Sequence, residues 1–135
     1  MDTEKQKARK AFKNLSDELQ ETIASMKTVN DIRTPGKNAG LSLVQLDKVE
    51  IASLYVLLGL EKAENLAEKI KSFDVDAAIA QKVAAEIDKT VFWPVRDLLT
   101  IAQAANKNLV AKENPSNSTF GEKTIGSVLF ARNNK

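Results

Sequence analysis

Residues 42–60 read SLVQLDKVEIASLYVLLGL, and this stretch decides the fold class. Ser42 and Gln45 have the spacing of a capping box, in which a hydroxyl and an amide satisfy free N–H groups where a helix begins. A single glycine, Gly59, and no proline interrupt the chain before the next polar turn. The pattern therefore predicts one long helix over residues 43–72.

This predicted helix is apolar on two sides. Its main face consists of residues that recur at helical spacing, namely Leu46, Val49, Val56, Leu60, Ala63 and Ile70. Ile51, Leu54 and Leu58 form a second stripe on nearly the opposite side. Both sides need cover, so the helix is either the centre of a bundle or presents one stripe to another chain. Gly59 costs about 1 kcal/mol relative to alanine in a helix interior, and the close approach of a neighbouring helix would explain it.

The sequence before this segment predicts one helix and a break. A capping box that starts at Thr3 and apolar residues at three- and four-residue steps predict a first helix over residues 4–28. Residues 30–40 contain a Pro-Gly pair and a second glycine, Gly40, which favour a turn. A break between the first and second helices is therefore expected there.

The sequence after this segment predicts two more helices and a tail. Asp74 and Asp76 are N-cap candidates for a third helix, which is expected to run to about residue 92, and Pro94 ends or kinks it because proline has no backbone N–H. A fourth apolar face follows over residues 95–109. Residues 124–130, TIGSVLF, are short and apolar, and they are interpreted as a strand or as an ordered tail.

Together these elements predict an all-α fold, a four-helix bundle whose last two helices are either separate or one proline-kinked helix. The bundle is expected to cover residues 1–110, and residues 111–135 are expected to form a C-terminal loop and a short tail that could be extended. The whole chain has 135 residues, which is the length of one domain.

The composition excludes several kinds of chemistry. The chain has no histidine and no cysteine, so it lacks the commonest general base, the commonest metal ligands and any thiol nucleophile or disulfide. Glutamate pairs such as Glu61 and Glu64 could hold Mg²⁺ in an all-α enzyme, but lysines are mixed among them, as in ordinary amphipathic helices. We therefore expect no cofactor, no metal and no enzymatic activity.

Charge and hydropathy indicate a cytoplasmic protein that does not enter a membrane. The formal net charge is +2, which favours no particular partner. The first residues are polar and lack the apolar run of a secretory signal. The longest dense apolar stretch, Ile51 to Leu60, is half of the length that a bilayer needs.

The first functional hypothesis is a non-enzymatic helical interaction protein. It would self-associate or dock on a protein partner, as a structural or assembly subunit, an adaptor or an inhibitor. The candidate interface residues are the second stripe of the long helix, an aromatic residue beside a proline and the apolar tail, namely Ile51, Leu54, Leu58, Trp93 and Phe130. Tryptophan is over-represented among residues that dominate binding energy, although it also plugs the ends of bundles.

The alternative hypothesis is a small helical nucleic-acid-binding subunit. Lys5, Arg9 and Lys13 have the spacing i, i+4, i+8 and so share one flank of the first helix. The basic C-terminal residues would add to this surface, namely Lys123, Arg132 and Lys135. Such binding would weaken steeply with salt because it releases counterions. A solvated helix face is the simpler interpretation of the same pattern.

Overall fold

A computed structural model describes residues 3–111, and this part of the chain is helical and contains no strand. The helices are α1 (Glu4–Lys13), α2 (Asp17–Ala24), α3 (Met26–Asn38), α4 (Leu43–Leu57), α5 (Leu66–Lys71), α6 (Ala77–Ile87), α7 (Arg96–Ala105) and α8 (Lys107–Ala111). A 3₁₀ turn, Ala63–Asn65, precedes α5. Between α6 and α7 the chain forms a π-helical turn, Asp88–Phe92, and a 3₁₀ turn, Trp93–Val95.

The predicted all-α class is confirmed, but the four-helix count is not, because each long predicted helix is divided into shorter ones. A simple proline kink at Pro94 is not confirmed either, since two non-α turns lie between α6 and α7. The predicted strand or ordered tail at residues 124–130 lies outside the described residues.

Serine caps divide the first predicted helix, residues 4–28. Ser16 Oγ accepts a hydrogen bond from the N–H of Leu19 (3.2 Å), and Ser25 Oγ accepts one from the N–H of Lys27 (3.2 Å). Each hydroxyl satisfies an N–H group that has no partner within its helix, so a new helix begins at each serine. The capping box expected at the start of α1 is present.

The break predicted at residues 30–40 is wrong for most of that range, because α3 continues through Pro35. The turn comes instead at Gly40, whose φ of +86° suits glycine. The N–H groups of Gly40 and Leu41 donate to carbonyls in the last turn of α3, which is a Schellman motif. One glycine, rather than the proline, therefore ends this helix.

The same motif ends α4 at Leu57, well before the predicted residue 72. Gly59 has a φ of +79°, and a separate helix, α5, follows. The close approach expected at Gly59 is present, because a Cβ atom there would lie 2.6 Å from the carbonyl carbon and oxygen of Ala102 in α7. The C-terminal end of α4 thus sits directly on the backbone of α7.

The core is aliphatic, and α4 lies at its centre. This helix packs against α2, α3, α5 and α7, while α6 packs against α3 and α5. Leu46, Val49, Val56 and Leu57 are its largest buried side chains. The position of α4 agrees with the expected central helix.

A buried amide joins three helix ends. Asn106, which follows α7, is fully buried, and its Nδ2 donates to the carbonyl oxygens of Leu58 (2.7 Å) and Ala11 (3.1 Å). Its Oδ1 accepts a hydrogen bond from Nδ2 of Asn14 (2.8 Å). Both amide hydrogens and the amide oxygen are therefore bonded, as a buried polar group requires. This cluster fixes the ends of α1 and α4 against α7.

Candidate interaction groove

The outward face of α4 carries exposed apolar side chains. Val44, Lys48, Ile51 and Tyr55 follow one another at i, i+4, i+7 and i+11, so they lie along one line of the helix. Val44 is 63 % exposed and Ile51 is 58 % exposed, and both are helical residues whose larger part the described chain leaves uncovered. The line is therefore an apolar strip that carries a lysine.

This line borders a groove of about 710 Å³. Its walls come from α1, α4, α5 and α8, and from the turn that follows α5. Its mainly apolar surface includes Ile51, Tyr55, Leu66, Phe73 and Val110. A concave, mostly apolar surface with a few polar groups is typical of a binding site.

A hydrogen-bonded group closes one wall of the groove. The hydroxyl of Tyr55 donates to Oε1 of Glu4 (2.8 Å), and Nζ of Lys7 lies 3.4 Å from Oε2 of the same carboxylate. All three residues line the groove. The contact joins α1 to α4, so it fixes the position of this wall and places polar groups at the surface of the groove.

Burial changes the acid–base properties of this group. Burial, and then the Glu4 carboxylate that accepts its hydrogen bond, raise the pKa of Tyr55 above its usual value. Burial also lowers the pKa of Lys7, although the neighbouring Glu4 carboxylate acts in the opposite direction. At neutral pH the phenol keeps its proton and serves as a donor.

A strained turn holds the far wall of the groove. Nε2 of Gln45 donates to the carbonyl oxygens of Phe73 (3.1 Å) and Asp74 (3.3 Å). Asp74 has a φ of +66°, the one positive φ at a non-glycine residue among those described. Nζ of Lys48 lies 5.8 Å from the centre of the Phe73 ring, so the turn places an aromatic face beside this lysine.

The structure separates the predicted stripe of Ile51, Leu54 and Leu58. Ile51 is exposed and lines the groove, whereas Leu54 is half-buried and Leu58 is 7 % exposed, and both pack in the core. The chain itself therefore covers Leu58, which does not share one exposed surface with Ile51. The helix ends at Leu57, and the turn at Gly59, next to the buried Leu58, lies against the backbone of α7. Val44 and Tyr55 extend the line instead.

Trp93 is exposed but does not line the groove. Its side chain is 58 % exposed, and the Arg96 guanidinium lies 4.0 Å from the centre of its ring. Arg96 also donates to the carbonyl oxygen of Trp93 (2.9 Å), so the arginine covers one face of the indole. Phe130, the last of the candidate interface residues, lies outside the described residues.

The basic residues of the alternative hypothesis share one helix. Lys5, Arg9 and Lys13 are all exposed on α1, at the predicted spacing. Lys7 belongs to the groove, as described above. Arg132 lies outside the described residues, so the structure does not place it relative to α1.

The sequence contains one pattern that indicates the apolar strip beside the groove, and the interface prediction did not use it. Val44 and Ile51 are seven residues apart and both apolar, which marks a strip on one side of a helix. Lys48, Tyr55 and Phe73 gave no such signal, because their roles depend on how α1 and α5 pack against α4. Within residues 3–111, the acidic side chains form no cluster of three or more that could hold a metal ion.

Comparisons of the chain with protein-family models, with curated proteins and with solved structures give no match. What the protein does is therefore inferred from its own residues. Among the helices between residues 3 and 111, none has both the length and the apolar character that a bilayer crossing requires.

Proposed function

We propose that the protein is a non-enzymatic helical interaction protein that docks on a protein partner, or on a second copy of itself, in the cytoplasm. The groove beside α4 is the docking site. One observation carries the proposal: Ile51 stands 58 % exposed in line with the exposed Val44, at the edge of a mainly apolar groove. Fully burying an exposed side chain of this size contributes roughly 1.5–3 kcal/mol, and the exposed part of Ile51 would contribute a share of that on binding.

The architecture around the groove supports docking more than catalysis. The helices that line the groove are fixed by the Glu4–Tyr55 hydrogen bond and by the Gln45 bonds to the Phe73–Asp74 turn. A surface fixed in this way loses little conformational entropy when a partner binds. The polar groups of the groove are a phenol, carboxylates, lysines and a serine. The phenol is bonded to Glu4 within the wall, and the serine hydroxyl donates to the carbonyl oxygen of Lys69.

A photo-crosslinking experiment tests the proposal. A benzophenone amino acid replaces Ile51 in the full-length protein, and a matched variant carries it at Ile101, which is 64 % exposed on α7 and does not line the groove. After irradiation in an extract of the native source, we expect a discrete protein adduct from position 51 and none from position 101. Light scattering of the purified protein over a wide concentration range shows whether that adduct is a second copy.

Two results would overturn the proposal. One is a protein that stays monomeric at every concentration and gives no adduct from position 51. The other is the same set of adducts from both positions, which would indicate random collision rather than a docking site. A further variant carries the benzophenone amino acid at position 51 together with Val44→Asp. If it still gives the adduct, the apolar strip does not contribute to docking.

The alternative function, nucleic-acid binding through α1, is favoured by the common exposure of Lys5, Arg9 and Lys13 on one helix. A protein of this kind would retain RNA or DNA at low ionic strength and release it as salt increases. The triple change of these residues to glutamine would remove that retention. Retention that persists in this variant would contradict the alternative.

A further inference from the structure

We propose that the groove receives an acidic amphipathic helix of a partner protein. This inference rests on the proposed function and specifies the partner's chemistry. It follows from the pairing of charges around the groove and from the shape of the exposed apolar strip.

The carboxylates around the groove already have partners. Glu4 accepts a hydrogen bond from Tyr55 and pairs with Lys7. Oε1 of Glu61 accepts hydrogen bonds from the backbone N–H of Lys62 (3.3 Å) and from Nδ2 of Asn65 (3.4 Å). Local donors therefore bond both carboxylates that line the groove, Glu4 through a lysine and a phenol and Glu61 through neutral N–H groups on one oxygen.

The acidic side chains along α4 are paired as well. Arg33 of α3 donates to Oδ1 of Asp47 (3.0 Å) and to Oε1 of Glu50 (2.6 Å). This arginine lies on the α3 side of the helix and does not line the groove. One guanidinium thus holds both carboxylates of α4 on the side away from the groove, and it compensates one of their two negative charges.

Two lysines of the groove have no carboxylate partner. Lys48 and Lys69 line the groove, and neither forms an ion pair with a carboxylate among residues 3–111. Lys48 instead lies over the ring of Phe73, at the apolar surface itself. A partner that brings carboxylates to these two positions gains favourable electrostatic interactions, and a basic partner meets repulsion.

The apolar strip indicates an elongated partner. Val44 and Ile51 are seven residues apart on α4, which places them about 10 Å apart along the helix axis. Val44 lies beyond the groove, so an occupant that covers both residues extends past the concave part. A helix with apolar residues at i, i+3 or i+4, and i+7 covers this distance and carries acidic residues on its flanks.

The chain's own C-terminal segment has the wrong charge for this site. Residues 112–135 contain four basic and two acidic side chains, a net charge of +2. If this segment lay against Lys48 and Lys69, its net positive charge would be repelled by the two lysines. The segment does contain apolar residues, so the experiment includes it as a competing occupant.

Peptide selection tests the inference directly. The full-length protein selects from a displayed library of random peptides of about 11 residues or more, the length of three helical turns. Counter-selection against an otherwise identical Ile51→Asp variant removes peptides that bind elsewhere on the protein. We expect the enriched peptides to be acidic, with apolar residues at helical spacing. We expect Lys48→Glu or Lys69→Glu to weaken them by about tenfold, roughly 1.4 kcal/mol.

Matched controls separate the groove from general electrostatics. Lys89→Glu makes the same change of net charge at an exposed residue outside the groove, and Ile101→Ser removes a similar exposed apolar side chain. Both controls should bind the enriched peptides as tightly as the original protein does. Circular dichroism of every variant confirms that the helices are retained.

Each other outcome overturns the acidic-helix inference in a recognisable way. Enriched peptides that are neutral or basic but still need Ile51 would leave the docking function intact and refute the acidic class. If decanoate displaces the peptides completely at a concentration similar to theirs, the groove binds a small amphipathic anion instead. Enrichment that appears only after Ile125→Ser and Phe130→Ser would assign it to the chain's own tail. No enrichment that depends on Ile51 would refute both proposals at this site.

Discussion

The C-terminal end of α4 and its outward face differ in how completely the chain covers them. At the end of the helix, Gly59 lies against the backbone of Ala102, and Asn106 satisfies the carbonyl of Leu58. On the outward face, Val44 and Ile51 are left to solvent beside a groove. One helix therefore has a region where any change disturbs the fold and a region where changes should affect binding alone.

The largest effect is expected at Gly59. Gly59→Ala forces a Cβ atom within 2.6 Å of the α7 backbone at a φ of +79°, and should destabilise the protein by about 3 kcal/mol or more. Gly40→Ala is the matched control, because it has a similar φ with open space around it, and should cost about 1 kcal/mol. Urea unfolding monitored by circular dichroism measures both. Equal losses for the two variants would show that the contact with Ala102 has no effect.

The next effect is expected at Asn106. Asn106→Ala removes the hydrogen bonds to the carbonyls of Ala11 and Leu58 and to the side-chain amide of Asn14, and should lower the free energy of unfolding by about 2–4 kcal/mol. The exposed neighbour Asn108 provides the control, and its change to alanine should have an effect within about 0.5 kcal/mol. A loss at Asn106 no larger than at Asn108 would contradict the structural role of the buried amide.

A smaller effect of opposite sign is expected on the inward face of α4. Ser53 is fully buried, and its Oγ has no hydrogen-bond partner among the residues that the structure describes. Ser53→Ala should therefore raise the free energy of unfolding by about 1 kcal/mol, because it removes a desolvated hydroxyl. The same urea measurement decides the sign. A clear loss of stability would indicate that the hydroxyl does have a partner in solution.

The ionisation of Tyr55 at high pH reports on the structure of the groove wall. It is the chain's single tyrosine, so tyrosinate absorbance reports on this site alone. The pKa of Tyr55 is raised in the folded state. The stability that its protonated form contributes is therefore complete below the unfolded-state pKa of about 10, and it is lost progressively as the pH rises above that value. We expect ionisation at higher pH in the folded than in the urea-unfolded chain. Coincident titrations would contradict the buried hydrogen bond to Glu4.

The smallest effect on stability is expected at the apolar strip. Ile51→Ser should change the free energy of unfolding by less than about 0.5 kcal/mol, because the side chain is largely exposed. The same change should abolish the peptide binding described above. A loss of several kcal/mol would mean that the strip belongs to the fold and would remove the contrast between the two regions of α4.

The sequence predicted the starts of helices better than their ends. The capping boxes at Thr3 and Ser42 are present, because a hydroxyl and an amide three residues apart act within a single turn. Ser16 and Ser25 cap helices in the same way, but nothing in the apolar pattern around them marks a break. Gly59 was correctly associated with a close contact, yet its left-handed turn was not anticipated.

The candidate site was only partly predictable for a related reason. The exposure of Ile51 follows from the surplus of apolar residues on α4, which the sequence shows directly. The groove depends on contacts between distant parts of the chain, such as that of Glu4 with Tyr55. Helical periodicity specifies which residues share a face, but it does not specify which helix covers that face.

The bonds of Asn106 also affect the order in which the chain can fold. Its partners, Ala11 and Leu58, are 95 and 48 residues earlier in the sequence. During synthesis the amino-terminal helices emerge from the ribosome long before this amide does. Contacts of such wide sequence separation form slowly. The ends of α1 and α4 therefore cannot be joined through this amide until translation has passed residue 106.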